Sequence, residues 1–358
     1  MFNAKVVIIY MKKAQKVRIG ISIGDLNGIG SEIILKTFQD PRMLEFCTPV
    51  IFANTKLLSF YKKHFKLNVN FQGIENASKV IDGKINVVNV WKENTKINFG
   101  KEDKFLGKFT VKSLEGATEA LIKKEIDTLV TAPINKNVIQ SEEFNFPGHT
   151  DYLAKAMKGD SLMLMICKNL RIGLLTDHVA VKDVAEKITP ELIQKKVTII
   201  HDTLKKDFRI QKPKIAVLGI NPHSGDNGVI GKEDEEILKP TILKINEKGT
   251  LVYGPYSADS FFGTKNYQNF DAVIAAYHDQ GLIPFKTLSF GRGVNYTAGL
   301  SRIRTSPDHG TAYEIAGKGE ADFTSFKEAV FASIEIFKCR KEYLKLTKNQ
   351  LQKQSKKL

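Results

Sequence analysis

What most constrains this chain is its rhythm: short apolar runs alternate with amphipathic helical stretches along nearly its whole length. Residues 17–23, 50–53, 85–90, 128–131, 162–167, 171–176, 215–220 and 272–277 read as strands. Residues 31–38, 56–65, 110–125, 152–157, 190–206, 233–247 and 326–344 read as helices. The helix over 110–125 places Val111, Leu114, Ala117, Leu121 and Ile122 on one face. Thr189-Pro190 supplies a start signal for the next long helix. Several strands are apolar without a break, the pattern of strands covered on both faces. The fold class is therefore α/β, with mostly parallel sheets covered by helices. Residues 162–167 and 171–176 form a hairpin around Lys168-Asn169, and the Gly-rich stretch 286–310 reads as loop. A length of 358 residues suits one large or two medium domains. No Gly/Ser/Pro linker divides the chain, so two lobes are expected to share a sheet.

The formal charge of +15 invites a nucleic-acid or anionic-membrane reading. Its distribution removes most of that force. Residues 1–18 carry +5 and residues 338–358 carry +7, which leaves +3 for residues 19–337. Basic tails at 1–15 and 345–358 are solvated segments, and neither nucleic acid nor membrane is an expected partner. The apolar run at 6–11 is far short of the ~20 residues a spanning helix needs. It also lacks a small-residue cleavage site after it. Cys47, Cys167 and Cys339 lie far apart with no paired spacing, which points to a reducing cytoplasm and away from a thiolate zinc site.

Three histidines share one topological slot. His178, His223 and His278 each sit at or just past the carboxyl end of an expected strand. That edge is where open α/β sheets bind ligands. Three neutral imidazoles meeting there can hold one divalent metal, with Asp177 and Asp279 as hydrogen-bonding neighbours. Each is equally explained as an ordinary loop histidine.

Three further segments suit anions. Gly148-His149-Thr150-Asp151 opens a helix, with Thr150 or Asp151 as its cap or the whole as an anion site. Lys286, Arg292, Asn295, Arg302 and Arg304 cluster after His278 and suit a phosphate or carboxylate, or form a solvated basic loop. Asp308-His309-Gly310-Thr311-Ala312 with Ala316-Gly317-Lys318-Gly319 has the composition of another such loop. The turn Gly24-Asp25-Leu26-Asn27-Gly28-Ile29-Gly30 is not GxGxxG, so it is either a tight βα turn or a ligand contact.

Taken together these segments resemble the PdxA family, the 4-hydroxythreonine-4-phosphate dehydrogenases of vitamin B6 synthesis. The resemblance rests on Gly24-Asp25 to Glu32, Thr131-Ala132-Pro133-Ile134-Asn135-Lys136, Gly148-His149-Thr150 and Thr176-Asp177-His178. It continues through Asn221-Pro222-His223, Tyr277-His278-Asp279-Gln280-Gly281, Gly291-Arg292-Gly293-Val294-Asn295 and Ile303-Arg304-Thr305 to Ala312. The first turn departs from the family pattern at Leu26, Asn27 and Ser31. His309 to Gly319 also resembles the adenosine loop of isocitrate and isopropylmalate dehydrogenases.

The resemblance implies two lobes with a central cleft, similar to those dehydrogenases. One lobe would comprise 1–137 plus 286–358. The other, 138–285, would carry the metal ligands and dimer contacts. It implies oxidation of 4-phosphohydroxy-L-threonine at C3 by NAD or NADP, followed by decarboxylation to 3-amino-2-oxopropyl phosphate. One divalent metal (Zn, Mg, Co or Mn) would sit on His178, His223 and His278, and these with Lys286 would be catalytic. His149, Thr150, Lys286, Asn295 and Arg304 would bind substrate. His309, Gly310, Thr311, Ala312 and Gly317 would bind the dinucleotide. The expected assembly is a homodimer whose active site, metal site included, draws on both subunits. A paralogue acting on threonate 4-phosphate has the same motifs, and a metal-dependent hydrolase is a further alternative.

Overall fold

The computed structural model describes residues 16–142, 144–146, 148–157 and 159–349. The apolar run at 6–11, the basic tail 1–15 and residues 350–358 of the other tail lie outside the described residues. Twelve strands form one sheet: β1 (Val17–Ser22), β2 (Cys47–Ala53), β3 (Phe71–Ile74), β4 (Ile85–Asn89), β5 (Thr128–Thr131), β6 (Leu162–Cys167), β7 (Leu170–Leu174), β8 (Ile215–Leu218), β9 (Val252–Tyr256), β10 (Ala272–Ala275), β11 (Val294–Ala298) and β12 (Arg304–Pro307). Their order is β3-β4-β2-β1-β5-β12-β11-β6-β7-β10-β8-β9. Pairing is parallel in both flanks and antiparallel only at β12–β11, β11–β6 and β6–β7. The helices are α1 (Gly30–Gln39), α2 (Met43–Phe46), α3 (Thr55–His64), α4 (Lys104–Ile122), α5 (Lys136–Ile139), α6 (His149–Met157), α7 (Val184–Lys187), α8 (Pro190–Phe208), α9 (Lys239–Glu247), α10 (Ala258–Gly263), α11 (His278–Ser289) and α12 (Thr324–Thr347).

The apolar runs behave as their composition requires. β2, β5, β8 and β10 are buried along their whole length, because helices cover both faces. α4 packs on β1, β2 and β5, while α12 packs on β5, β11, β12 and α8. α8 begins where its cap predicts, with Thr189 Oγ1 accepting from Leu192 N at 3.2 Å. α4 starts six residues before the expected 110, where the Asp103 carboxylate caps Phe105 N at 2.9 Å. Beneath α8, α12 and β11 the Arg340 guanidinium donates to both oxygens of buried Asp207 (2.7 and 2.8 Å) and to Tyr296 (2.8 Å).

Three sequence expectations need correction. Phe71–Ile74 and Val252–Tyr256 are strands, although neither reads as one. Both lie at the ends of the sheet, where the selection for apolar residues is weak and Pro255 is tolerated. The expected loop 286–310 instead contains the end of α11 and all of β11 and β12. Those strands are polar in sequence yet largely buried, since they stand at the centre of the sheet beside the cleft. Among the described residues no helix is long and apolar enough to cross a membrane.

Candidate active site

The central strands hold a buried cation without a buried anion. Arg304 opens β12 and is only 3% exposed. Its Nε and Nη2 donate to Thr131 Oγ1 at 3.1 and 2.7 Å, and Nη1 donates to Thr297 Oγ1 at 3.1 Å. Among the described residues it forms no ion pair. Burial pushes its pKa down to about 9, so it remains charged at neutral pH. A desolvated guanidinium whose partners are all neutral attracts an incoming carboxylate or phosphate.

His149, the first residue of α6, completes this pocket. Its Nδ1 lies 3.1 Å from Arg304 Nη2. A guanidinium only donates, so Nδ1 accepts and the ring proton sits on Nε2. Burial, then Arg304 and Lys136, hold the imidazole well below its ordinary pKa, so it is neutral at pH 7. Nε2 is buried without a partner, which leaves an N–H donor for a ligand oxygen. Asn295 Oδ1 on β11 is buried and unpartnered as well. The helix start also corrects one expectation. Thr150 and Asp151 lie inside the first turn and do not cap it, and Tyr152 N bonds to Gly148 O at 3.3 Å.

Two adjoining hollows of about 280 and 460 Å³ share Ile134, His149, Met163, Asn295 and Arg304. The smaller reaches Lys286, His278, His309 and Gly310; the larger reaches Lys136, Thr150, Asp177 and His178. The structure therefore brings every expected substrate residue to one cleft at the middle of the sheet. Arg292 and Arg302 do not join it. Arg292 lines a separate cavity with Arg171 and Phe331, and Arg302 donates to Ile122 O at 3.3 Å.

Two of the three histidines meet. His178 follows β7 and His278 opens α11, with ring centroids 6.2 Å apart. Asp279 Oδ1 lies 2.7 Å from His278 Nδ1, and Asp177 Oδ1 lies 4.0 Å from His178 Nδ1. The Asp279 carboxylate holds Nδ1 of His278 and leaves its Nε2 as the donor, while Asp177 Oδ1 accepts from the His178 backbone N at 2.8 Å; two adjacent imidazoles suit one divalent cation. His223 is elsewhere, exposed on the loop after β8. Among the described residues no three His, Cys, Asp or Glu side chains of one chain gather closely enough to hold a metal.

The loop expected to take the dinucleotide packs on the first βα turn. Thr311 O accepts from Ile29 N at 3.1 Å, and Tyr313 donates to Asp25 Oδ2 at 2.8 Å. Asp25 Oδ1 in turn accepts from Asn27 N and Gly28 N. Burial raises the Asp25 pKa against the lowering effect of those three bonds. Gly24 has φ +74°, and a Cβ there would stand 2.3 Å from Pro133 O. This is the tight βα turn of the two readings. Gly317 sits against Phe99, its carbonyl 2.8 Å from His64 Nε2. His309 Nε2 is buried and unpartnered, and open space surrounds the Gly310 Cα. Thr131, Thr297 and Met163 were missed as site residues. Only Thr131 carried a signal, through its place in the Thr131–Lys136 motif.

Comparison with known proteins follows the same line. The family model for "Pyridoxal phosphate biosynthetic protein PdxA" matches residues 45–333. The 4-hydroxythreonine-4-phosphate dehydrogenase of Bacteroides thetaiotaomicron is 48% identical over 341 residues, covering 95% of this chain and 94% of that protein. The D-threonate 4-phosphate dehydrogenase of Cupriavidus necator is 35% identical, covering 89% and 96%. The crystal structure of a 4-hydroxythreonine-4-phosphate dehydrogenase from Burkholderia phymatum superposes with a TM-score of 0.75 at 35% identity, covering 90% and 98%.

Proposed function

Because the chain belongs to the PdxA family, we propose that it is an NAD(P)-dependent 4-hydroxythreonine-4-phosphate dehydrogenase in pyridoxal phosphate biosynthesis. The observation that carries this reading is the unpaired, buried Arg304 beside the neutral His149 donor, in the cleft that also holds His178 and His278.

In this reading Arg304, His149 Nε2 and Thr150 receive one anionic end of the substrate, with Lys136 adding charge. Asn295 Oδ1 accepts from a substrate donor, such as its ammonium or hydroxyl group. Lys286 lines the smaller hollow with His278 and, as the unprotonated amine, takes the C3 hydroxyl proton at Nζ. With a nicotinamide bound to accept the C3 hydride, the product would be a β-keto acid, which would release CO2. Fixing both substrate ends holds C3 in place for that transfer. NAD(P)+ would lie along His309, Gly310, Thr311, Ala312 and Gly317, where it supplies the hydride acceptor. His178 and His278 would hold a divalent cation, which would supply Lewis-acid polarisation of the reacting oxygens. A second copy of the chain brings His223 to complete the donor set, in a homodimer. The two lobes, 1–137 with 286–358 and 138–285, divide along the β11–β6 pairing and flank the cleft. The cytoplasm is the fitting compartment, and the three cysteines are free thiols.

The test is NAD+ or NADP+ reduction, followed at 340 nm, with 4-phosphohydroxy-L-threonine before and after chelation. Turnover that needs both nucleotide and divalent metal supports the reading, and phosphate release without nucleotide refutes it. The Cupriavidus relative favours one second reading, oxidation of D-threonate 4-phosphate. A higher kcat/KM for that substrate in the same assay would establish it.

A further inference from the structure

The histidines sit on three neighbouring strand ends, and side-chain hydrogen bonds run between those ends. Thr176, two residues before His178, donates through Oγ1 to Ala276 O at 2.8 Å. Gln280, two residues after His278, uses both ends of its amide. Its Oε1 accepts from Ala276 N at 2.7 Å, and its Nε2 donates to Gly219 O at 2.7 Å. Gly219 begins the arm that carries His223. The arm is anchored a second time by fully buried Asp234, whose carboxylate accepts from Ile220 N (2.8 Å), Asn221 N (3.0 Å) and Asn221 Nδ2 (3.0 Å).

The arm needs such anchors. His223, Ser224, Gly225, Asp226 and Asn227 all have positive φ, from 43° to 82°. Four of them are not glycine, and in this region an L side chain crowds its Cβ against the following carbonyl oxygen. A backbone like this persists only where its surroundings over-determine it.

We propose that Gln280 is a positioning residue: its amide locks the His223 arm to the His278 strand end, and so sets how tightly the histidines hold a divalent cation. This rests on the metal-site reading above. Among the described hydrogen bonds, Gln280 supplies the only side-chain bond between the His223 and His278 loops. Because one end of the amide must accept while the other donates, a carboxylate at 280 cannot replace it.

The experiment titrates the metal-free, full-length protein with Co2+, following its visible absorption and competition with a chelator of known affinity. Gln280→Met removes both bonds. Gln280→Glu keeps the acceptor for Ala276 N but cannot donate to Gly219 O. Both are expected to bind Co2+ about tenfold or more weakly, with an altered absorption band and an unchanged oligomeric mass. In a His223→Ala background, Gln280→Glu should cause no further loss. Gln280→Glu decides the matter should Gln280→Met fail to fold. Variants that bind Co2+ within about twofold of wild type, with the same band, would overturn the role of Gln280, as would a further tenfold loss without His223. If the wild-type protein takes up no Co2+, the metal-site reading falls and this inference with it.

Discussion

Two buried arginines in this protein should respond in opposite ways to the same substitution. Arg340 is paired: its guanidinium donates to both oxygens of Asp207, and both side chains are nearly inaccessible. Arg304 is buried as deeply but meets only two threonine hydroxyls and His149. Replacing Arg340 with Met strands the Asp207 carboxylate, and breaking a buried pair costs about 3–5 kcal/mol. Replacing Arg304 with Met strands no charge. The fall of its pKa from the ordinary arginine value to about 9 corresponds to about 5 kcal/mol held against the cation in the folded state. The sign follows from linkage. Between pH 9 and 12.5 the folded protein binds fewer protons than the unfolded chain, so stability rises with pH there and the full penalty applies at neutral pH. Against that gain stand three polar groups that lose a partner, at about 1–3 kcal/mol each. The two sides nearly cancel.

Urea denaturation of the two variants therefore separates the roles. Arg340→Met should lower stability by about 3–5 kcal/mol. Arg304→Met should change it by less than about 2 kcal/mol, yet raise KM for the phosphorylated substrate at least about a hundredfold, as expected when a charged hydrogen bond of about 3 kcal/mol is lost. Inorganic phosphate or substrate should stabilise the wild type in this assay and leave Arg304→Met unmoved. A loss for Arg304→Met as large as that for Arg340→Met, with KM unchanged, would show that Arg304 is a brace between β5 and β11, not an anion receptor.

His149 offers a pH test. Its folded pKa lies below 6.5, so the protein should lose stability as pH falls through 6.5 towards that lower value, and the loss should be smaller in His149→Gln. Melting temperatures from pH 5 to 8 measure it, and equal slopes for the two proteins would contradict the buried, neutral assignment. Tyr313→Phe removes the donor to Asp25 Oδ2 that joins the 308–319 loop to the first turn. It should cost about 1–2 kcal/mol and raise KM for the nucleotide more than KM for the substrate; the reverse order would separate this loop from dinucleotide binding.

How much of this was legible in sequence depends on what each strand faces. β5, β8 and β10 announce themselves because both faces are covered by helices, and only apolar side chains survive there. His178 and His278 follow β7 and β10 as the apolar runs before them imply, and their rings lie side by side. His223 follows β8 at the same edge, on an exposed loop of left-handed backbone that no local sequence pattern announces. The edge strands β3 and β9 gave no signal for the opposite reason, since their outer sides face no partner strand.

β11 and β12 are the instructive failure. Val294–Ala298 and Arg304–Pro307 contain Asn, Tyr, Thr, Arg, Ser and Pro, and a pattern of apolar runs assigns such segments to loops. They lie at the centre of the sheet because their polar groups find each other there. Arg304 reaches across to Thr131 and Thr297, and Tyr296 reaches Asp207 and Arg340. A buried polar strand is stable only if its neighbours satisfy it, and three of these four neighbours lie 44 to 173 residues away in the chain. Local sequence cannot carry that information. His149 Nε2 and Asn295 Oδ1 are among the buried atoms left unsatisfied, and both residues line the cleft. The segment least legible as structure is thus the one whose incomplete hydrogen bonding identifies where a ligand must complete it.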